Sequence, residues 1–454
     1  MKKYVFYSLL ICICLVTSCN DYLDVKPSKS MTVPEKIKDL QALLDNTTYI
    51  NQSSPISPEL AADNFLVTDQ VWNSTGLSVR NAYIWEKDVF NDFFLNDWSY
   101  PYVSVFYANL AKEGVEKLQG TSASQVELDF IKGQALFIRA YAFYQLAGVF
   151  TKPYNAHTAS SDLGIPLRLV SDINEPTSRA SVKETYDRII ADLKIAADLL
   201  PDKVTYATRA SRAAAYALLA RVYLSMAEYT EAARYADLYL DIKNVLLDFN
   251  ELDAAKMVPF PIMHEEDVFH TCALTTGFIT PSSGIVDPSL YSLYTADDLR
   301  RSLFFRIDAD NKTVRFKGDY GGAASPMPYN GLATDEVYLI KAECAARLGE
   351  REKALSLLNT FRQKRYRTRI NDGLVLESDQ AVLSEVLLER RKELIGRGLR
   401  WFDFRRLNRE QSTAVTLKRA VNGKEYVLPP GDNRYVFQIP LEVIASSGIP
   451  QNPY

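Results

Sequence analysis

The chain has few of the residues that most often carry metal or nucleophilic chemistry: three histidines and five cysteines in 454 residues. His264 and His270 stand six apart in HEEDVFH, not at the i, i+4 spacing that sets two imidazoles on one helix face around zinc, and His157 is remote in sequence. No metal centre is expected. G-x-S-x-G, P-loop and G-x-G-x-x-G patterns are absent as well, so nothing points to a cofactor or an acyl- or phosphoryl-transfer site. Positive charge is not in excess, since the net charge is −4, and this leaves no basic field to draw nucleic acid or an anionic membrane surface. The apolar run nearest in length to a membrane span, Tyr4 to Val16, is too short to cross a bilayer.

That run has another meaning. Lys2 and Lys3 precede it, and Thr17 and Ser18 follow it before Cys19, which is the layout of a secretory signal over 1–18 ending in a lipoprotein cleavage box. Cleavage would free the Cys19 thiol for diacylglyceryl transfer and leave 19–30 as a flexible tether. Asn20 avoids an acidic residue at the retention position, while Asp21 and Asp24 favour export outward, so the expected place is an outer membrane, held by lipid and facing outside. Cys12 and Cys14 leave with the signal, and Cys272 and Cys344 allow one disulfide at most, not a framework.

Helical patterns dominate the remainder. Thr32, Pro34 and Glu35 read as a helix start; Ser124 with Glu127 and Ser181 with Glu184 read as capping boxes, the last opening a helix that stops at Pro201. The segment from Ser124 to Phe150 is apolar on two faces, as a helix sandwiched between others would be. LARVYLSMAEYTEAARYADLYL and EVYLIKAECAARLGEREKALSLLNTFRQ share a spacing: Ala220, Ala227 and Ala232 recur as Ala342, Gly349 and Ala354. Both read as tetratricopeptide (TPR)-like hairpins, the first turning at 228–230 and the second spanning 335–366, with small residues letting two helices approach. Two stretches interrupt them, about 46–102 and about 257–332, both without helical period and rich in turn residues and aromatics. The fold class is therefore mainly α, a TPR-like α/α superhelix with long irregular insertions and minor β, in an N-terminal part to 256 and a C-terminal part from 257. A right-handed stack should form one side and the insertions the other.

Six blocks in order complete the picture: the cleavage box with CNDYLDVKPS, GQALFIRAYAFYQLAGVF followed by GIPL, DPSLYSLYTADDLRR, EVYLIKAE, LLERRKELIGRGLRWFDFRRLN, and FQIPLEVIASSGIPQNPY. Together they resemble the SusD/RagB outer-membrane lipoproteins. The resemblance implies a TPR scaffold with an irregular ligand-binding face, no enzymatic activity, and a partner SusC-like TonB-dependent transporter barrel whose outer mouth the lipoprotein closes while capturing nutrient, most often an oligosaccharide. The same uptake role with peptides is an alternative, and a surface glycoside hydrolase a distant one.

A sugar needs an apolar plate for its C–H face, flanked by amides, carboxylates or guanidiniums for its hydroxyls. Residues 63–102 hold three of the four tryptophans, and the candidates there are Trp72 and Trp85 as plates, with Tyr83 and Trp98, and Asp63, Arg80 and Asn81 as polar partners. Phe278 and Tyr320 are candidates in the second insertion. Glu265, Glu266 and Asp267, or Asp297 and Asp298, could supply the paired carboxylates of glycoside hydrolysis, but adjacent acids are more often solvated or paired with arginine, here Arg300 and Arg301. The basic runs at 362–367 and 390–406 alternate with acids and aromatics and read as structural pairing.

Overall fold

The computed structural model describes residues 36–90, 96–280, 283–322, 327–368 and 373–454. The signal, Cys19, the tether and the start at Thr32, Pro34 and Glu35 lie outside the described residues. The helices are α1 (Ile37–Leu44), α2 (Thr47–Ile50), α3 (Ser57–Ala61), α4 (Asp69–Ser74), α5 (Leu77–Tyr83), α6 (Ser99–Leu118), α7 (Gln125–Phe150), α8 (Val182–Leu199), α9 (Arg212–Ser225), α10 (Tyr229–Ile242), α11 (Pro288–Tyr291), α12 (Arg300–Leu303), α13 (Thr334–Arg347), α14 (Arg351–Gln363), α15 (Asp379–Glu393), α16 (Leu399–Leu407) and α17 (Leu441–Ser447).

Successive long helices pack as neighbours from α6 through α7, α8 and α9 to α10. Next α10 packs on α13, although a long insertion separates them in sequence, and α13 packs on α14 and α15. The two TPR-like hairpins, α9–α10 and α13–α14, are thus consecutive in space. The predicted sandwiching of α7 is observed, with α1 and α6 against it and α8 alongside. Gly148 is required there, because a Cβ would sit 2.1 Å from the Phe402 ring. Ser181 and Glu184 form the expected capping box; Ser124 occupies the N-cap of α7 without a side-chain bond.

One detail of the repeat differs from expectation. Ala220, Ala232, Ala342 and Ala354 are buried between helices as predicted, but Ala227 and Gly349 lie in the turns, exposed, with φ of +63° and +78°. The shared small residue at that position answers a left-handed turn, not a close helix approach.

The insertions are ordered by pairing with each other. β1 (Phe65–Leu66) runs antiparallel to β5 (Ile285–Val286), Ser54 bridges Ala273, the Cys272 N–H donates to the Asn51 carbonyl at 2.7 Å, and Tyr83 packs edge-on against Phe278. The second insertion folds over an aromatic cluster of Phe260, Phe304, Phe305 and Tyr320, joined by Phe249 just before it and Phe65 of the first insertion. It carries β4 (Asp267–Phe269) paired with β8 (Leu332–Ala333), and β6 (Phe305–Ile307) paired with β7 (Val314–Phe316). The first insertion read as irregular yet contains α2 to α5, each only four to seven residues long. Pieces that short show no 3.6-residue period.

Candidate ligand-binding face

Helices α4 and α5 are joined by Thr75 and Gly76 alone. Thr68 caps α4 by accepting from the Val71 N–H at 3.2 Å. The result sets Arg80 over Trp72, its guanidinium carbon 5.0 Å from the indole centroid. Trp72 is half-buried against the main core, and neither its Nε1 nor the Arg80 Nε has a hydrogen-bond partner among the described residues. An antiparallel hairpin, β9 (Leu417–Val421) with β10 (Lys424–Leu428), supports this corner from below. At its tip Asn422 exchanges amide hydrogen bonds with Asn73, and its backbone N–H donates to Asp69 at 2.8 Å. A half-buried indole with a part-exposed guanidinium over it provides the apolar plate and the polar fork that recognition of a polyhydroxylated ring requires; the two unpartnered nitrogens are themselves enclosed and offer no bond to a ligand in this arrangement.

The other predicted contacts lie deeper. Trp85 is 2% exposed and its Nε1 donates to the Ala61 carbonyl at 2.9 Å, so neither face of its ring is open. Tyr83 is equally enclosed beneath Arg419, whose guanidinium carbon is 3.7 Å from its centroid. Trp98 packs among Tyr102 and Phe150, and Phe278 against Tyr83. Tyr320 lies under Arg397 and donates to Glu266 at 3.1 Å. Asn81 is spent on the Lys87 carbonyl. Asp63 ion-pairs with Arg391 and Arg400, each at 2.9 Å; burial opposes its charge, but the two guanidiniums outweigh that and hold its carboxyl below the usual range. Of the nine predicted contacts, then, the structure brings Trp72 and Arg80 together at the surface and sets the rest in the layer beneath or at its seam with α15 and α16. The β9–β10 support was missed, although Asn422-Gly423 between two alternating runs is a hairpin signal.

Residues 21–224 match a SusD-like family model described as starch-binding and associating with the outer membrane, and residues 326–454 match the SusD family model, also known as SusD/RagB. The chain belongs to the SusD/RagB family. SusD-like protein P2 of Formosa agariphila is 26% identical to this SusD-family chain, over 90% of it and 91% of the relative. A SusD superfamily protein from Bacteroides thetaiotaomicron superimposes with a TM-score of 0.76 at 22% identity, over 92% of this chain and all of that one. A SusD-like carbohydrate-binding protein from Bacteroides vulgatus does so with a TM-score of 0.69 at 18% identity, over 91% and 97% of the two chains. At those identities the likeness is one of fold. The family is outer-membrane associated, and among the described residues no helix is long and apolar enough to cross a membrane.

Within this SusD-family fold three of the acids weighed as catalytic, Glu266, Asp267 and Asp298, are buried and paired, while Glu265 is exposed and Asp297 partly so. Glu266 has no exposed surface; burial pushes its carboxyl up to about 7 in spite of Arg365 at 2.7 Å. Asp298 is held by Arg300 at 2.8 Å, and the same guanidinium reaches Glu389 and Glu393. His264 is kept neutral by burial, which pulls its pKa down to about 3, and His270 bonds Asp267 at 2.5 Å. Among the described residues no group of three or more His, Cys, Asp or Glu is arranged to hold a metal ion. Cys272 and Cys344 are separate buried thiols.

Proposed function

We propose that the protein is a lipid-anchored, surface-facing outer-membrane binding protein that captures oligosaccharides on the insertion face and passes them to a SusC-like TonB-dependent transporter. One observation carries the reading of the site: Trp72 and Arg80, both partly exposed, share a stacked contact on the surface of an otherwise closed layer. Trp72 is the plate and Arg80 the hydroxyl partner, with Asn73 and Asp69 beside them. No bond is made or broken in this role, and the protein is not an enzyme. The carbohydrate-binding description of a structural neighbour supports the choice of ligand class. Cys19 supplies the anchor.

Stacking plus a few water-exposed hydrogen bonds, each contributing on the order of 1 kcal/mol, gives roughly micromolar to millimolar affinity. Calorimetry of the full chain against a panel of neutral oligosaccharides should find a binder, and Trp72→Ala should weaken it at least about tenfold. A sugar that binds Trp72→Ala as well as the parent would move the site elsewhere; binding of peptides and no sugar would replace the ligand class.

A further inference from the structure

A cleft of about 340 Å³ opens between the loop following α7, the end of α16 and the segment 431–436. It shares no lining residue with the Trp72–Arg80 corner. Its volume falls at the lower end of the range found for small-ligand sites. Arg405 lines it while only 6% exposed, and donates to the carbonyls of Ala147, Gly148 and Thr151, which close the C-terminus of α7. Its Nε has no acceptor. Arg409, on the next turn and exposed, gives one bond, from Nη1 to the Tyr154 carbonyl at 2.6 Å.

The charge balance in the cleft is lopsided in a specific way. Both acids that line it already have their own cations: Asp162 is paired with Lys152 at 2.8 Å and Asp432 with Arg434 at 2.7 Å. Neither Arg405 nor Arg409 has a carboxylate within ion-pair reach among the described residues. Backbone carbonyls at a helix C-terminus offer only partial negative charge. Burial without an anion pulls the Arg405 pKa down to about 10. The unmatched charge is therefore positive and lies where a guanidinium fork suits an oxyanion with two oxygens to present. Asn155 and Asn433 line the same space and provide amides for hydroxyl groups.

We propose that this cleft is a second binding site that takes an oxyanion-bearing sugar, the carboxylate of a uronate or the sulfate of a sulfated pyranose, with the exposed Arg409 on the charged group and the buried charge of Arg405 behind it. The sugar part rests on the oligosaccharide reading above; the oxyanion part does not. Titrating the full chain with D-glucuronate, glucose 6-sulfate, D-glucose and inorganic sulfate separates these parts. Glucuronate or glucose 6-sulfate should bind at least tenfold more tightly than glucose, weaken as salt is raised, and lose at least tenfold in Arg409→Gln, with Arg409→Lys retaining more than Arg409→Gln. Which of the two sugars binds more tightly identifies the oxyanion. Inorganic sulfate binding alone, lost in Arg409→Gln, would overturn the sugar part and keep the anion site. Equal affinity for glucose and glucuronate, or indifference to Arg409→Gln, would overturn the site. Neutral oligosaccharides read against Trp72→Ala test the other face, so the two failures are distinguishable.

Discussion

Arginine lies on an aromatic ring both in the closed layer where the second insertion meets α14 and α15 and on the face built by the first insertion, yet the two settings differ in what is left over. Beneath α14 and α15, Arg300 and Arg365 have no exposed surface; Arg365 packs 4.0 Å from the Phe249 centroid, and its Nε and Nη2 reach Glu393 and Glu266 at 2.7 Å. Arg300 serves three carboxylates and lies near the rings of Tyr294, Phe361 and Tyr366. On the insertion face Arg80 has Trp72 and an unspent Nε. Composition does not separate a structural pair from a surface pair, and neither does an unpartnered nitrogen, which buried Trp401 and Arg390 also keep; exposure does.

The sharpest way to break this comparison is to remove one member of the closed network. Arg300→Ala removes the guanidinium that Asp298, Glu389 and Glu393 share and leaves them to Lys392, Arg362 and Arg365 alone, and breaking a buried pair on one side costs roughly 3–5 kcal/mol. Urea unfolding should show that loss or no folded protein at all. A change below about 1 kcal/mol would mean the network is not the closed structure described. Arg80→Ala in the same assay should cost under about 1 kcal/mol, since an exposed cation–π contact contributes about that much at most.

Acid should act on the scaffold next. Burial opposes the charge of Asp63, Glu343 and Asp403, but facing guanidiniums, Arg400, Arg406 and Arg390 in turn, hold all three carboxyls below the usual range. A depressed carboxyl contributes stability that is fully present above its unfolded pKa, about 4, and is lost as pH falls through its folded value. Glu266 runs the other way. Its pKa of about 7 means a cost at neutral pH that is relieved as pH falls toward about 4.5. His264, held at about 3 by burial, opposes that gain, since its stabilisation is lost as pH falls below the ordinary imidazole value of about 6.5; thermal melts should therefore change little from pH 7 to 5 and fall steeply below about 4. A fall already complete at pH 5 would contradict the assigned directions.

How much of this could be read from the chain follows from the same contrast. The scaffold was legible because its signals are local and repeated: Ser181 with Glu184, the spacing of Ala220 and Ala232 against Ala342 and Ala354, and the alternation of acids and bases at 390–406. The insertions were not, because their order comes from long-range pairing such as Phe65 with Val286, which no window of sequence contains. Trp72 and Trp85 both lie in the same non-periodic, polar stretch of sequence. Burial parts them: Trp85 is closed under Ala61 and Arg419, and Trp72 is held half-open by the Arg80 contact.

The smallest expected effect concerns the support under that half-open ring. Gly423 follows Asn422 in the β9–β10 turn, with φ of +72° and +50°, and a Cβ at 423 would meet no neighbour within 4 Å. Space is therefore not the issue, and Gly423→Ala carries only the backbone cost of a left-handed residue, about 1 kcal/mol. The turn stays anchored, because the Asn422 N–H to Asp69 and the amide pair with Asn73 do not involve residue 423. Melting should drop by a few degrees at most, with oligosaccharide affinity changed less than about twofold. Asn422→Ala removes the amide pair as well and should lower affinity more than it lowers stability when set beside Gly423→Ala. If both variants lose stability equally and neither touches binding, the hairpin supports the fold alone and the corner at Trp72 owes its geometry to α4 and α5.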